Sequence, residues 1–275
     1  MPLIALASVK GSPGVTTTCL ALAAAWPGQR RLIIEADPAG GDLGPWLGLP
    51  PAPGLTGLAA AARHDHSSDV AWQHACELGG GLHLVIAPAG AEQASACLAA
   101  LAQNADTIFT SLAAGPDTVI ADLGRLDPGS PALPIAAQAD ITLLMVRPRV
   151  SDLSHLALRA DGLSRAGAHL ALLLAPDAGR GPAEASYPAS EIAATLDIPV
   201  QASMPADPRG AADLIACRAE AHKTRRAPLA RAAASLAARL AAGPGQPTPS
   251  PAAAAGPAQG AAHHPAEVTA GDTPR

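Results

Sequence analysis

Lys10-Gly11-Ser12-Pro13-Gly14-Val15-Thr16-Thr17 stands directly after the apolar run Pro2–Val9 and directly before an alanine-rich helical pattern. A strand, a glycine-rich turn and a helix N-terminus together make an anion site, because the N–H groups of the turn and the helix dipole converge on one point. The common phosphate loop, G-x-x-x-x-G-K-[ST], also carries a lysine that reaches the β- and γ-phosphates. Val15 occupies that place here. The order strand, phosphate loop, helix predicts an α/β chain.

Working outward, short apolar runs recur at Leu3–Val9, Arg31–Ala36, Leu82–Ala87, Thr118–Leu123, Ile141–Val146, His169–Ala175 and Pro199–Ser203. Their lengths suit strands buried on both faces of a parallel sheet. Helical patterns fall near Thr16–Ala25, Leu55–Arg63, Val70–Glu77, Glu92–Gln103, Ser151–Arg165, Ala189–Leu196 and Pro208–Ala219, with a last helix over Ala219–Ala242. Ser151 and Asp152 are expected to cap the long central helix. The alternation predicts a doubly wound, mostly parallel sheet with helices on both faces, of the P-loop NTPase type, with ligands beyond the carboxyl ends of the strands.

With 275 residues, the chain can bury a full core. Apolar residues make up 49% and aromatics only 2%, so that core must be built from Ala, Leu, Val and Ile. Trp26, Trp46 and Trp72 are expected in core or rim packing. Residues 1–242 read as one domain. In residues 243–275 seven of 33 are Pro, five are Gly and none is Leu, Ile or aromatic. Such a segment cannot bury enough surface to offset its ordering entropy, and a disordered tail is expected, His263-His264 included.

The net charge of −5 argues against nucleic-acid binding over the whole surface. Cys19, Cys76, Cys97 and Cys217 have no metal-ligand spacing, and a reduced cytoplasmic chain is expected. No signal peptide or membrane-spanning helix is expected. His64-Asp65-His66 reads as surface. The only lysine of the first 222 residues is Lys10, inside the loop.

Two acidic strand ends accompany the loop. Ile33-Ile34-Glu35-Ala36-Asp37-Pro38 ends one strand with carboxylates at i and i+2, and Thr118-Val119-Ile120-Ala121-Asp122 ends another with one aspartate. Mg²⁺ and an attacking water need such acids at strand ends.

With these residues the chain resembles the ParA/MinD family of deviant-Walker ATPases, whose loop reads K-G-G-x-G-K-[ST]-[ST]. Lys10 matches the family's signature lysine, Gly11 and Gly14 its glycines, and Thr16 and Thr17 its hydroxyls. Ser12 replaces a glycine and Val15 the second lysine. The resemblance implies that Asp37 positions the attacking water and that Thr16 and Asp122 hold Mg²⁺. It assigns residues 11–17 to nucleotide binding, Pro13 and Val15 included. Asp177 lies where the family contacts the base, and Pro205-Ala206-Asp207 looks like its adenine-side turn. The chain looks most like actinobacterial MinD-like members associated with Tad/Flp-type pilus secretion (TadZ or CpaE-like), where atypical loops occur.

What the resemblance implies is an ATP- and Mg²⁺-dependent switch or weak ATPase. It would form an ATP-sandwich homodimer, with Lys10 reaching the partner's nucleotide, and position a cellular assembly at the pole or the inner face of the membrane. Losing the lysine removes a charge clamp worth several kcal/mol on the transferring phosphoryl group. Two alternatives stand beside it: a nucleotide-independent pseudo-ATPase scaffold, and a chromosome or plasmid partitioning ATPase. A Rossmann dinucleotide enzyme is disfavoured, since the loop is not G-x-G-x-x-G. The basic stretch 218–240 offers nonspecific DNA or membrane contact, but a solvated helix packed by Leu229, Leu236 and Leu240 is the preferred reading.

Overall fold

Every residue of strand β1 (Leu3–Ser8) is buried, as the unbroken run of Leu, Ile and Ala requires of a strand covered on both faces. In the computed structural model, residues 2–11, 13–28, 30–115, 117–176, 186–216 and 224–242 are described. Among them the strands are β1, β2 (Arg31–Glu35), β3 (Cys76–Gly79), β4 (Leu82–Val85), β5 (Thr118–Arg125), β6 (Ile141–Val146), β7 (Leu170–Leu174) and β8 (Val200–Ser203). They form one sheet in the order β3-β4-β2-β5-β1-β6-β7-β8. All neighbours are parallel except β3 and β4. The chain winds one way from β1 to β2 and the other way from β6 through β8, so winding direction reverses beside β1.

The helices are α1 (Val15–Ala25), α2 (Leu43–Leu47), α3 (Leu55–Ala61), α4 (Val70–Gln73), α5 (Ala91–Ala102), α6 (Ala105–Ala114), α7 (Leu133–Gln138), α8 (Val150–Arg165), α9 (Ala189–Leu196), α10 (Pro208–Ala216) and α11 (Pro228–Ala241). The sheet separates two apolar layers. Leu3, Ala5, Val119, Ala121 and Leu123 face α3 to α9, with the chain's one phenylalanine, Phe109, fully buried there. Ile4, Leu6, Ile33 and Ile120 face α1, α2, α10 and α11.

Several expectations need correction. The pattern Val70–Glu77 is not one helix: α4 stops at Gln73, and Cys76–Gly79 pairs antiparallel with β4 across Gly79-Gly80-Gly81, all at positive φ. Neither Ser151 nor Asp152 caps α8; Arg149 holds the cap position and Asp152, in the first turn, faces Arg147 at 3.5 Å. The last helix begins at Pro228, since proline's missing N–H suits a first turn and not a helix interior. Helices α2, α6 and α7 are not among the predicted elements. The expected tail 243–275 and the basic residues Arg218 and Lys223 lie outside the described residues.

Candidate functional site

The parallel order brings the carboxyl ends of β1, β2 and β5 side by side, and the loop after β1 enters α1 there. Gly11 (φ 69) and Gly14 (φ 100) adopt left-handed backbone that only glycine takes without strain. Gly14 is the N-cap of α1; its carbonyl accepts the Thr18 N–H at 2.9 Å, and no side chain caps the helix. The first turn carries no acid, its N–H groups have no partner within the helix, and its residues Val15, Thr16 and Thr17 line the cleft. Val15 is 6% exposed and packs with the α1-side core. Lys10 is exposed, Pro13 is buried, and Ser12 lies outside the described residues.

The acids do two different jobs. Glu35 is fully buried and acts as a strut. Its Oε1 accepts N–H bonds from Asp42 (2.7 Å) and Leu43 (2.9 Å), and its Oε2 accepts from Ala87 (2.9 Å). Burial raises its pKa, and these three N–H groups act against the shift. Asp122, 0% exposed, is pushed up to about 7, mainly by burial and further by the charges of Glu35 and Asp37; the Thr16 hydroxyl and the Gly124 N–H pull it down. Its Oδ1 accepts the Gly124 N–H at 3.0 Å, whereas its Oδ2 is buried with no partner at hydrogen-bonding geometry among the described residues. An orphaned carboxylate oxygen beside a threonine hydroxyl fits a hard divalent cation such as Mg²⁺. Asp37 is half-buried; burial raises its pKa, and the Ala39 N–H and the Arg125 charge oppose that.

Sequence reasoning missed Ser8, Gly124 and Arg125. Opposite Leu6-Ala7-Ser8, β5 carries one extra residue: Leu6 pairs with Asp122 and Ser8 with Arg125. The bulge is made by Gly124 (φ 57), and it resets the alternation of the strand. Leu123 and Leu126, three apart, therefore share one core layer, and Arg125 falls on the cleft face with Asp122. Ser8 Oγ lies 3.4 Å from the carbonyls of both Gly11 and Gly124, tying the loop to the bulge. The result is a cleft of about 650 Å³ lined by the loop, Asp37, Asp42, Trp46, Gly124, Arg125 and Asp127. Trp46, expected in core or rim packing, forms part of this wall and is 38% exposed.

No protein-family model and no curated protein matches the sequence. Solved structures do match in shape. A ParA family ATPase from Chlorobium tepidum superposes with a TM-score of 0.67 at 16% identity, over 87% of this chain and 98% of its own. The cell division ATPase MinD of Pyrococcus furiosus gives 0.66 at 20% identity, over 88% and 98%. The septum site-determining protein MinD of Pyrococcus horikoshii, in complex with Mg-ADP, gives 0.61 at 19%, over 88% and 97%. The fold is that of the ParA and MinD ATPases.

Within this ParA/MinD-type fold, a second recess of about 190 Å³ adjoins the loop. Pro13, Gly14 and Thr17 form one side; Met145, Pro176, Met204, Pro205, Asp207 and Leu229 form the other. The Asp207 carboxylate is already engaged: Oδ1 accepts the Gly210 N–H (2.9 Å) and Oδ2 the Leu229 N–H (3.0 Å), so it caps α10 and pins the start of α11. Asp177 lies outside the described residues. Leu229 and Leu236 of α11 are buried against the α1 layer, and Arg239 is bound to Ser235 and the Gln201 carbonyl, so the apolar stripe of this helix is spent on the core. Among the described residues no helix is long and apolar enough to cross a membrane.

Proposed function

We propose that the chain binds a Mg-nucleoside triphosphate, ATP by likeness to the ATPases that share its fold, and works as a nucleotide-switched positioning protein with weak hydrolysis. One observation carries this: an uncapped helix N-terminus and Thr16 line the cleft, and the Thr16 hydroxyl acts on the fully buried Asp122, whose Oδ2 has no partner at hydrogen-bonding geometry among the described residues. In this reading residues 11–17 cradle the phosphates, and Pro205, Asp207 and Asp177 lie on the base side. Thr16 and Asp122 hold Mg²⁺, whose charge would screen the phosphates when bound. Asp37 orients water, and Lys10 reaches the partner's nucleotide in a sandwich homodimer. Residues 1–242 form the working domain.

The cargo we favour is a Tad/Flp-type pilus secretion assembly, with chromosome or plasmid partitioning as the alternative and a polar or membrane-peripheral cytoplasmic location. Calorimetric titration with Mg-ATP tests the core of the proposal: measurable binding that Asp122→Ala weakens is expected, and no binding at millimolar ATP overturns it.

The burial of Val15 in the apolar layer favours a second reading, a pseudo-ATPase scaffold. That protein would dimerise to the same extent with and without ATP, which sedimentation separates from the switch.

A further inference from the structure

Three acids, Asp37, Asp42 and Asp127, line the cleft, and among the described residues lining it Arg125 is the one cation. Lys10 is exposed and does not line it. The other arginines near the loop approach from the α8 side and are engaged. Arg147 Nη1 lies where a side chain on Gly11 would stand, 3.1 Å from a β-carbon built there, and faces Asp152 at 3.5 Å. Arg159 donates to the Val9 carbonyl and pairs with Asp127. Arg125 is exposed and makes no hydrogen bond or salt bridge to any described residue; its charge is felt by Asp37 across the cleft. A polyanion entering here meets the Asp37 and Asp42 carboxylates, which repel it, Asp127 already paired with Arg159, and one guanidinium that no salt bridge holds.

The position of Arg125 is built into the backbone. In a regular strand it would alternate away from Asp122 and enter the apolar layer with Leu123. The extra residue at Gly124 turns it to the face of Asp122 and of the α1 N-terminus. We infer that Arg125 is the phosphate-binding cation of this site, contacting the polyphosphate of the nucleotide from β5 in place of the lysine that Val15 lacks on α1. The inference rests on the nucleotide reading above and deepens it. A guanidinium offers two parallel N–H donors to phosphate oxygens, so it brings orientation as well as charge.

The test is calorimetric titration of Mg-ATP and of adenosine into the wild-type chain and into Arg125→Ala, Arg125→Lys and Arg125→Ala/Val15→Lys, each first shown to melt like wild type. Arg125→Ala is expected to weaken Mg-ATP by roughly tenfold to a hundredfold, the cost of losing hydrogen bonds to a charged group, and to leave adenosine unchanged. Arg125→Lys recovers part of the loss, and Val15→Lys in the Arg125→Ala background recovers more, because a cation returns to the phosphates from the other side. Wild-type binding that Arg125→Ala leaves within about twofold overturns this inference and leaves the nucleotide site standing. Equal loss of adenosine and Mg-ATP also overturns it, since that marks a general disturbance. A wild-type chain that takes up no Mg-ATP overturns the nucleotide reading itself.

Discussion

The carboxylate of Asp37 rests on the α-carbon of Gly124: a β-carbon built there would lie 2.0 Å from Asp37 Cγ. Two strand ends are thereby held together, since the Ala36 N–H after β2 also donates to the Asp122 carbonyl of β5 at 2.7 Å. Gly124→Ala must either displace Asp37 or unwind the bulge, and alanine at φ 57 adds about 1–2 kcal/mol of backbone strain. We expect a stability loss of about 2 kcal/mol or more in urea unfolding, with Mg-ATP hydrolysis reduced further than binding. Wild-type stability in this variant would mean that the contact is not made.

Asp122 gives the ligand-free protein a pH signature. An unfolded aspartate titrates near pH 4 (about 3.9), and this one titrates at about 7 in the native state. Between those values the native chain holds a proton that the unfolded chain has released. Unfolding free energy therefore falls as pH rises from about 4 to about 7 and levels off above. Glu35 and Asp37, also raised, act in the same direction. Asp122→Asn should reduce the slope without abolishing it. Mg²⁺ needs the ionised carboxylate, so Mg-ATP affinity is expected to climb over the same window. Urea unfolding curves at half-unit steps from about pH 4 to about pH 8 read the first effect, and titration calorimetry reads the second.

Glu35→Gln isolates the strut. The amide oxygen can still accept from Asp42 and Leu43, but its NH₂ then meets the Ala87 N–H donor to donor. A loss of about 2 kcal/mol is expected. Hydrogen exchange should quicken at the amides of Asp42, Leu43 and Ala87 before the rest of the sheet; a uniform change would argue against the strut.

Lys10 calls for the opposite result. It is exposed, so Lys10→Ala should leave stability within about 0.5 kcal/mol. If it acts across a dimer, ATP-dependent dimerisation should disappear in sedimentation while Mg-ATP binding by the monomer persists. Retained ATP-dependent dimers would remove Lys10 from the site.

The strands of the sheet's interior were legible because each is a short apolar run ended by a turn or an acid, from Leu3 through Leu174. Strand β3 was not, because Val70 to Glu77 keeps a helical spacing of apolar residues. The triple glycine 79–81 is the local signal that a hairpin forms there instead. Helix α2 is equally hidden: it has five residues, contains Pro45, and its first-turn N–H groups are held by Glu35 from another strand. In the site, the loop, Asp37 and Asp122 could be read as strand-end motifs. Arg125 could not, since strict alternation sends it to the apolar layer and only the bulge reverses that. The role of Asp207 was also hidden, because Leu229, one of its two partners, lies on a helix 22 residues further on.

The place of β1 in the middle of the sheet has a consequence for how the chain comes into being. Its neighbours are late arrivals: Leu3 pairs with Val119 and Ile4 with Ile141. Helix α1 waits longer, since α11, which seals its outer face, begins at Pro228. The phosphate loop is thus made well before the segments that surround it. While the rest of the domain is being made the glycines, Val15 and the two threonines belong to an open chain. The site becomes competent for a ligand only when nearly the whole domain has been made, so a bound ligand certifies a completed domain.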